Sequence, residues 1–359
     1  MSRPAIATIH LNRLRYNYRI LKDKTENATL MAVVKANAYG HGLDIIAPVL
    51  LDEGCRSFAV TDAEEGYRLR RILGNNPDIA ILSGVFDTED AVMCSASDLT
   101  PVVTEPWQIN MLKNAAFAGK VWLKVDTGMK RLGCEDAVRM FMTCKEGGTG
   151  IAGIMSHLAC ADMPDHPLNQ QQGEAFTQYL TALPEPVPAS LLNSAGLITM
   201  PEYVMDVVRP GIALYGAEPV RNHPLGLQPV MQLTSRIIQV RTVRRGESIS
   251  YGADFTASQD MRVAVAALGY ADGLPRSLSN CGMAVPVKRR DKDAILPVVG
   301  RICMDYCLLD ASYIDISAGD EVEFWGKTIP AVEVALLAGT IAYELFTGVG
   351  ERVMRKAVM

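Results

Sequence analysis

The sequence predicts an α/β fold, a (β/α)8 TIM-type barrel followed by a mainly antiparallel β domain. Two patterns lead to this prediction. Between Thr29 and about Gly211, eight short apolar runs alternate with longer segments whose apolar residues recur at helical spacing. After about Pro229, short β-branched runs are separated by glycines and charged turns. We therefore expect the barrel to occupy residues 1–230 and the β domain residues 231–359.

The apolar runs are the predicted barrel strands. In chain order they read TLMAVVK, RSFAVT, DIAILSG, DLTPVVT, KVWLKVDTG, IAGIMSHL, ASLLNSA and YVMDVVRPG. The segments between them are amphipathic and have Gly or Pro near their ends, as in LDIIAPVLLDEG, DAEEGYRLRRILG, EPWQINMLKNAAFAG and LNQQQGEAFTQYLTAL. Strands that alternate with helices form parallel βαβ units. A series of eight in about 200 residues favours a closed barrel over an open sheet.

The second domain is predicted from β-rich segments near the C-terminus. They read LTSRIIQVRTV, ESISYG, RVAVAALGYADG, AVPVKRRDKDAILPVVGRICMDYCLLD and DEVEFWG. The run KRRDKD, Lys288 to Asp293, mixes both charges and is typical of a solvated hairpin turn. Short strands separated by such turns form antiparallel sheets.

Composition and charge exclude several classes of protein. The chain carries 35 Lys and Arg against 40 Asp and Glu, a net charge of −5 that does not fit a basic nucleic-acid-binding protein. Its 8 cysteines are scattered without a CxxC pair, which indicates reduced thiols and no metal site. The N-terminus has no apolar signal segment, and AVEVALLAGTIA is too short to span a bilayer. We expect a cytoplasmic protein that binds neither nucleic acid nor a membrane.

Polar side chains follow several predicted barrel strands, at the ends where barrel enzymes carry their chemistry. Lys35 follows the first strand, and burial of such a lysine lowers the pKa of its amine for Schiff-base formation. The alternative is a lysine whose stem packs on the barrel while its amine reaches water. The other polar residues at strand ends are Lys124, Arg131, Ser156, His157, Asn193, Ser194 and Arg209.

These residues together describe a pyridoxal phosphate site. The loops after strands seven and eight of barrels often bind phosphate, and here they offer Asn193, Ser194 and the backbone amides of Gly211 and Ile212. A buried arginine on the eighth strand, Arg209, would face the ring nitrogen of the cofactor. Asn and Ser are also common turn formers. The prediction therefore depends on their combination with a strand-end lysine.

A collinear series of motifs spans nearly the whole chain and resembles that of bacterial alanine racemases. The motifs are AVVKANAYGHG, LKVDTGMKRLG, MSHLACAD, LNSA, VRPGIALYG, SYGADF, GYADG, GRICMD and GTIAYE. The resemblance implies pyridoxal phosphate-dependent interconversion of L-alanine and D-alanine, serving either cell-wall synthesis or alanine catabolism. It also implies a head-to-tail homodimer in which one subunit's barrel and the other's β domain share each active site.

The resemblance assigns catalytic and cofactor-binding roles residue by residue. Lys35 matches the lysine that holds pyridoxal phosphate covalently, and Tyr251 matches the second catalytic base, contributed by the partner subunit. Arg209 matches the arginine on the pyridine nitrogen, and His157 the histidine beside it. The matches on the phosphate side are Tyr39, Asn193, Ser194, Gly211, Ile212 and Tyr343.

The same resemblance assigns substrate-binding and channel positions. Arg131 matches the arginine near the substrate carboxylate, and Lys124 matches the lysine, often carbamylated, that holds this arginine. Met304 matches a residue that binds substrate through its backbone amide from the partner subunit, and Asp305 is its neighbour. Tyr270 matches the tyrosine that gates the entry channel. Asp162, Arg276 and Arg301 match further channel positions.

Several alternatives stay open beside alanine racemisation. Serine is the nearest alternative substrate. A decarboxylase of basic amino acids uses the same barrel, but the motifs RPGIALYG and SYGADF argue against it. A non-catalytic carrier of pyridoxal phosphate typically lacks the β domain, and so has no counterparts of Tyr251 and Met304.

One segment departs from the family pattern, in which GTxGYE is followed by RVPR. Here the chain reads GTIAYELFTGVGERVMR, with Ala342 before Tyr343 and no proline in the tail. We expect small differences in packing around Tyr343, and with them in gate geometry and substrate size preference.

Racemisation explains why such residues occur together. Inverting a stereocentre needs one group to remove a proton from one face and a second to return it on the other. A free tyrosine, with a pKa near 10, is a poor base at neutral pH. We therefore expect a cationic network through His157 and Arg209 to activate Tyr251.

Overall fold

Strands and helices alternate through the first part of the chain, and strands dominate the rest. The computed structural model describes residues 3–287 and 294–359, so the expected hairpin turn at 288–293 lies outside the described residues. The strands are β1 Ile6–His10, β2 Thr29–Val33, β3 Ser57–Val60, β4 Asp78–Ile81, β5 Thr100–Val103, β6 Lys120–Lys124, β7 Gly150–Met155, β8 Ala189–Ser190, β9 Val207–Val208, β10 Met231–Val243, β11 Ser248–Ile249, β12 Phe255–Thr256, β13 Met261–Ala266, β14 Ala284–Val287, β15 Ala294–Pro297, β16 Cys307–Asp310, β17 Glu321–Trp325 and β18 Met354–Val358. The helical segments are α1 Leu11–Asp23, α2 Lys35–Tyr39, α3 Leu43–Asp52, α4 Ala63–Leu73, α5 Thr88–Ala96, α6 Pro106–Asn114, α7 Ala137–Glu146, α8 Pro167–Ala182, α9 Gly196–Thr199, α10 Ala331–Ala338 and α11 Ala342–Thr347.

The predicted barrel is confirmed. Strands β2 to β9 form one parallel sheet in the order β8-β7-β6-β5-β4-β3-β2-β9. Each coincides with one of the eight predicted runs, and β7 begins one residue earlier, at Gly150. A parallel bridge between Asn193 and Arg209 joins the two ends of this sheet beyond β8 and β9. Most strand residues are buried on both faces, as the burial of every residue in β3 shows, because helices cover the outside of a parallel barrel.

The four amphipathic segments predicted between barrel strands form helices α3, α4, α6 and α8, although α6 ends at Asn114, before the end of its predicted segment. Helix α4, for example, begins after Asp62, whose carboxylate accepts a hydrogen bond from the Glu65 amide at 2.9 Å, and ends at Gly74. Helix α1 precedes the first barrel strand but packs against α3 and residues 212–215, beside the last strand. Its buried Asn17 donates to the Leu214 carbonyl at 3.1 Å. The N-terminal helix thus closes the outer ring.

The second sheet is mainly antiparallel, as predicted, and both chain ends belong to it. Its strands follow the order β15-β14-β17-β10-β1-β18, and β13 joins β10 to β16. Strand β1 pairs antiparallel with β10 and parallel with β18. Neither β1 nor β18 is among the predicted segments. The domain boundary at residue 230 stays a prediction.

Within residues 3–287 and 294–359, no helix is long and apolar enough to cross a membrane. Within the same ranges, no group of three or more His, Cys, Asp or Glu side chains is arranged to hold a metal ion. All eight cysteines are free.

Candidate active site

A cavity of about 470 Å³ opens at the carboxyl ends of the barrel strands, a size typical of ligand pockets. It brings together most of the predicted barrel residues and one from the second domain. The predicted residues that line it are Lys35, Tyr39, Lys124, Arg131, His157, Asn193, Ser194, Arg209, Gly211, Ile212 and Tyr343. Of the predicted barrel positions, the exposed Asp162 is not in the lining.

The lining carries an excess of positive charge. Lys35, Lys124, Arg131 and Arg209 meet there, and none of the described lining residues is Asp or Glu. Burial, followed by the charge of Arg131, lowers the pKa of Lys35. Burial and the three neighbouring cations lower the pKa of Lys124 to about 8. The cavity therefore favours anionic ligands and holds amines that deprotonate readily.

The chain leaves Lys35 through a left-handed turn. The φ angles of Ala36, Asn37, Ala38 and Tyr39 are 52°, 53°, 55° and 50°. For residues other than glycine, this conformation costs about 1–2 kcal/mol per residue. The Ala38 amide donates to the Val34 carbonyl at 2.9 Å, and the Asn37 side chain accepts from the Leu43 amide at 2.8 Å. These bonds offset the strain and direct Tyr39 into the cavity.

An aromatic stack supports Tyr39 from behind. Its ring centroid lies 4.9 Å from Tyr215 and 5.8 Å from Tyr343. His41, fully buried, lies 4.5 Å from Tyr215 and 4.9 Å from Phe346, and its Nδ1 is 2.9 Å from the Tyr39 carbonyl oxygen. Burial lowers the pKa of His41 to about 4, so the neutral ring donates from Nδ1 to that carbonyl. Our sequence analysis missed His41, although it lies in the motif AYGHG.

The loops after β8 and β9 approach each other closely. The Ser194 hydroxyl accepts from the Gly211 amide at 2.9 Å, and the Asn193 side chain accepts from the Gly196 amide at 2.9 Å. Both residues therefore shape turns while lining the cavity. A Cβ atom on Gly211 would lie 2.4 Å from the Tyr39 hydroxyl and would force the Tyr39 side chain to shift.

Arg209 is buried, and none of its hydrogen-bond partners in the described part of the chain is a carboxylate. It donates to the Ser190 hydroxyl and the Ser156 carbonyl, and to the Leu191 carbonyl at 3.3 Å. Burial lowers the pKa of Arg209 to about 10, which leaves it protonated at neutral pH.

His157 carries no charge beside Arg209. Burial, followed by the charge of Arg209, lowers the pKa of His157 well below its usual value. The charge of the expected network through His157 and Arg209 would therefore come from Arg209.

The remaining predicted residues lie elsewhere on the chain. Tyr251 is 69% exposed and Met304 is 52% exposed. Arg301 pairs with Asp254, with Nη2 3.0 Å from Oδ1. The predicted residues that do not line the cavity in this chain are Asp162, Tyr251, Tyr270, Arg276, Arg301, Met304 and Asp305. Asp162 acts electrostatically on Tyr343, since burial and then the charge of Asp162 raise the pKa of Tyr343 to about 12.

Comparison with known proteins covers the whole chain. The family model of the alanine racemase N-terminal domain matches residues 9–219, and that of the C-terminal domain matches residues 230–357. An alanine racemase from Halorhodospira halophila is 40% identical over 369 residues, which cover 100% of this chain and 99% of that protein.

Solved structures agree in fold as well as in sequence. The biosynthetic alanine racemase of Pseudomonas aeruginosa has a TM-score of 0.90 at 36% identity, with 99% of this chain and 100% of that chain covered. The alanine racemase of Bartonella henselae, solved with covalently bound pyridoxal phosphate, has a TM-score of 0.90 at 34% identity, with 99% of each chain covered. This chain belongs to the alanine racemase family of pyridoxal phosphate-dependent isomerases.

Proposed function

We propose that this chain interconverts L-alanine and D-alanine by two-base proton transfer, with pyridoxal phosphate held at the barrel mouth. One observation carries the proposal: a lysine with a lowered pKa shares its cavity with three further basic side chains, Lys124, Arg131 and Arg209. Because none of the described lining residues is acidic, the cavity suits a phosphate group together with a substrate carboxylate.

The residues at the mouth fit this cofactor. Lys35 would bond its aldehyde carbon, and Arg209 would donate to its pyridine nitrogen. The phosphate would lie where Ser194 and Gly211 meet Tyr39, because the missing Cβ of Gly211 brings the backbone close to that hydroxyl. The other phosphate ligands would be Asn193, Ile212 and Tyr343. When bound, this cofactor withdraws electrons from the substrate α-carbon and makes its proton acidic.

Two side chains of this sequence would move the proton. Lys35 has a lowered pKa, so part of its amine is neutral and able to accept a proton. Tyr251 of the partner subunit would act on the opposite face, with the charge of Arg209 as its activator. In its own chain Tyr251 is 69% exposed and does not line the cavity. This position suits a side chain that enters the active site of the partner subunit. We infer a head-to-tail homodimer, in the cytoplasm.

Substrate binding would divide between the two subunits. Arg131 would hold the alanine carboxylate, with Lys124 beneath it. Met304 and Asp305 of the partner subunit would complete the site. The entry channel would consist of Tyr270, Asp162, Arg276 and Arg301, with Tyr270 as its gate.

Deuterium exchange tests this proposal directly. The purified protein is incubated with L-alanine in heavy water, and optical rotation and the α-proton signal are followed together. Rotation that falls to zero as the α-proton exchanges supports proton transfer on two faces. Exchange without loss of rotation would show one working base and contradict proton transfer by a second. No exchange would contradict alanine as substrate, and L-serine would be tried next.

Arg209→Glu is expected to increase pyruvate formation from alanine. Arg209 keeps its own proton at neutral pH and only donates hydrogen bonds. A glutamic acid in its place would give its proton to the pyridine nitrogen, which strengthens electron withdrawal and favours transamination. We expect about tenfold more pyruvate per racemisation, measured with lactate dehydrogenase. Arg209→Gln, which supplies no proton, is the control, and equal pyruvate from both variants would contradict the argument.

Lys124 is expected to make substrate affinity depend on carbon dioxide. Its neutral amine would combine with CO₂ to give a carbamate and a released proton, which places an anion among the cations. With a pKa of about 8, the neutral fraction increases from about one tenth at pH 7 to about one half at pH 8. Carbamylation should therefore increase with pH. At pH 8 we expect the KM for alanine to rise about tenfold when bicarbonate is removed.

Two lysine variants control this measurement. Lys124→Met should have a high KM whether or not bicarbonate is present. Lys120→Met changes an exposed lysine on the same strand and should behave like the unmodified enzyme. If the KM of the unmodified enzyme is the same with and without bicarbonate, the carbamate on Lys124 is excluded.

A further inference from the structure

A buried carboxylate in the second domain joins the two ends of the chain. Asp272 is fully buried, and its Oδ1 accepts from Arg352 Nε at 2.7 Å. Its Oδ2 accepts from Arg3 Nη2 at 2.8 Å and from the Gly269 amide at 2.9 Å. Both oxygens are therefore satisfied. We call Asp272, Arg3 and Arg352 the Asp272 cluster.

The two arginines of this cluster also hold the loop at residues 303–306. Arg352 Nη2 lies 2.8 Å from Asp305 Oδ1 and 3.3 Å from the Met304 carbonyl oxygen. Arg3 Nη2 donates to the Asp305 carbonyl at 2.9 Å. One arginine from each end of the chain thus contacts both Asp272 and this loop.

The loop at 303–306 is joined directly to the turn that carries Asp272. The Tyr270 amide donates to the Cys303 carbonyl, and the Ala271 amide donates to the Met304 carbonyl, both at 3.0 Å. A Cβ on Gly269 would lie 2.4 Å from the carbonyl oxygens of Cys303 and Met304, so glycine allows this close approach. Hydrogen bonds therefore join the backbone of Tyr270 and Met304 to the Asp272 cluster.

We propose that Arg352, Arg3 and Asp272 are positioning residues that set where Tyr270 and Met304 are presented to the active site. The inference rests on the proposed function, in which Tyr270 is the gate of the entry channel and Met304 binds substrate. The Tyr270 and Met304 side chains are 42% and 52% exposed, so their own packing constrains the loops weakly. The ion pairs of the buried Asp272 with Arg3 and Arg352 fix the backbone instead, and fixed supporting contacts are what hold a binding residue in place.

The cluster is expected to affect substrate binding and leave cofactor binding unchanged. Its residues line neither the mouth cavity nor the adjoining one at Lys35 and Tyr343. Displacement of the Met304 loop therefore weakens contacts with the substrate, while the proposed cofactor ligands stay in place. A positional error of about 1 Å at a binding residue costs up to about a hundredfold in rate.

The test uses Arg352→Met, Arg352→Lys and a matched control in the full-length enzyme. The control, Arg262→Met, removes an arginine of the same domain that donates to the Ile314 and Ile316 carbonyls at 3.2 and 3.0 Å. For Arg352→Met we expect the KM for L-alanine and D-alanine to rise about tenfold, with the pyridoxal phosphate dissociation constant within about twofold. Arg352→Lys should raise the KM less than Arg352→Met does, and Arg262→Met should leave the KM unchanged.

Amide hydrogen exchange provides a readout that does not depend on activity. In Arg352→Met, the amides of residues 269–273 and 303–306 should exchange faster, while those of the barrel strands keep their rates. An unchanged KM together with unchanged exchange would overturn the proposal. A rise in KM accompanied by comparable losses of cofactor affinity and thermal stability would also overturn it, because together they indicate general unfolding. If the unmodified enzyme did not act on alanine, the proposed function would fail, and exchange in the two loops would still decide the role of the cluster.

Discussion

Lys35→Ala is expected to abolish racemisation from both L-alanine and D-alanine, with a loss of more than about 10⁴-fold. Two functions of one amine disappear together, the covalent attachment of the cofactor and the proton transfer on one face. Lys35 follows β2 at the start of α2, lines the cavity together with Arg131 and has its pKa lowered by burial. No other described lysine in the cavity lies in the same turn, since Lys124 belongs to β6 on the other side of the mouth.

Rates from each enantiomer and the cofactor retained after gel filtration measure this loss. Lys113→Ala, which changes an exposed lysine of α6, is the control and should keep full activity. Added methylamine should restore part of the α-proton exchange in Lys35→Ala, because it replaces the missing amine. Retention of more than about one hundredth of the activity by Lys35→Ala would contradict the assigned role.

Local patterns predict the barrel, and long-range pairing explains what they miss. Each barrel strand is a short apolar run with a turn signal behind it, so even the two-residue strands β8 and β9 lie in predicted runs. Strand β1 has no comparable signal. Ile6 pairs with Thr234 and with Met354, partners more than two hundred residues away that only the assembled sheet selects.

The sequence identifies the site residues that follow barrel strands. It does not identify the strained left-handed turn after Lys35. Residue type and position at strand ends identify Lys35, Arg131 and Arg209. Local propensity argues against a left-handed turn that contains Ala36 and Ala38, because alanine gains nothing from this conformation. Distant contacts overrule that preference, among them Arg355, which donates from Nε to the Gly40 carbonyl at 3.0 Å. Such contacts are visible only in the folded chain.

Tyr251→Phe is expected to remove one of the two proton-transfer steps while leaving cofactor binding intact. L-alanine and D-alanine have equal free energy, so kcat/KM for net racemisation must fall equally in both directions. The asymmetry appears in solvent exchange instead. The enantiomer whose α-proton faces Lys35 should keep exchanging in heavy water, and the other should slow by about 10³-fold. Equal exchange from both enantiomers would contradict the two-base assignment.

Mixed dimers decide whether Tyr251 acts across the subunit interface. When Lys35→Ala and Tyr251→Phe subunits are combined, action across the interface pairs the intact Lys35 of one subunit with the intact Tyr251 of its partner. One of the two sites in each mixed dimer is then complete, and the other lacks both groups. Random mixing in equal amounts should restore about one quarter of the activity of the unmodified enzyme. If Tyr251 served its own barrel, no mixed dimer would contain a complete site, and mixing two inactive variants would restore nothing.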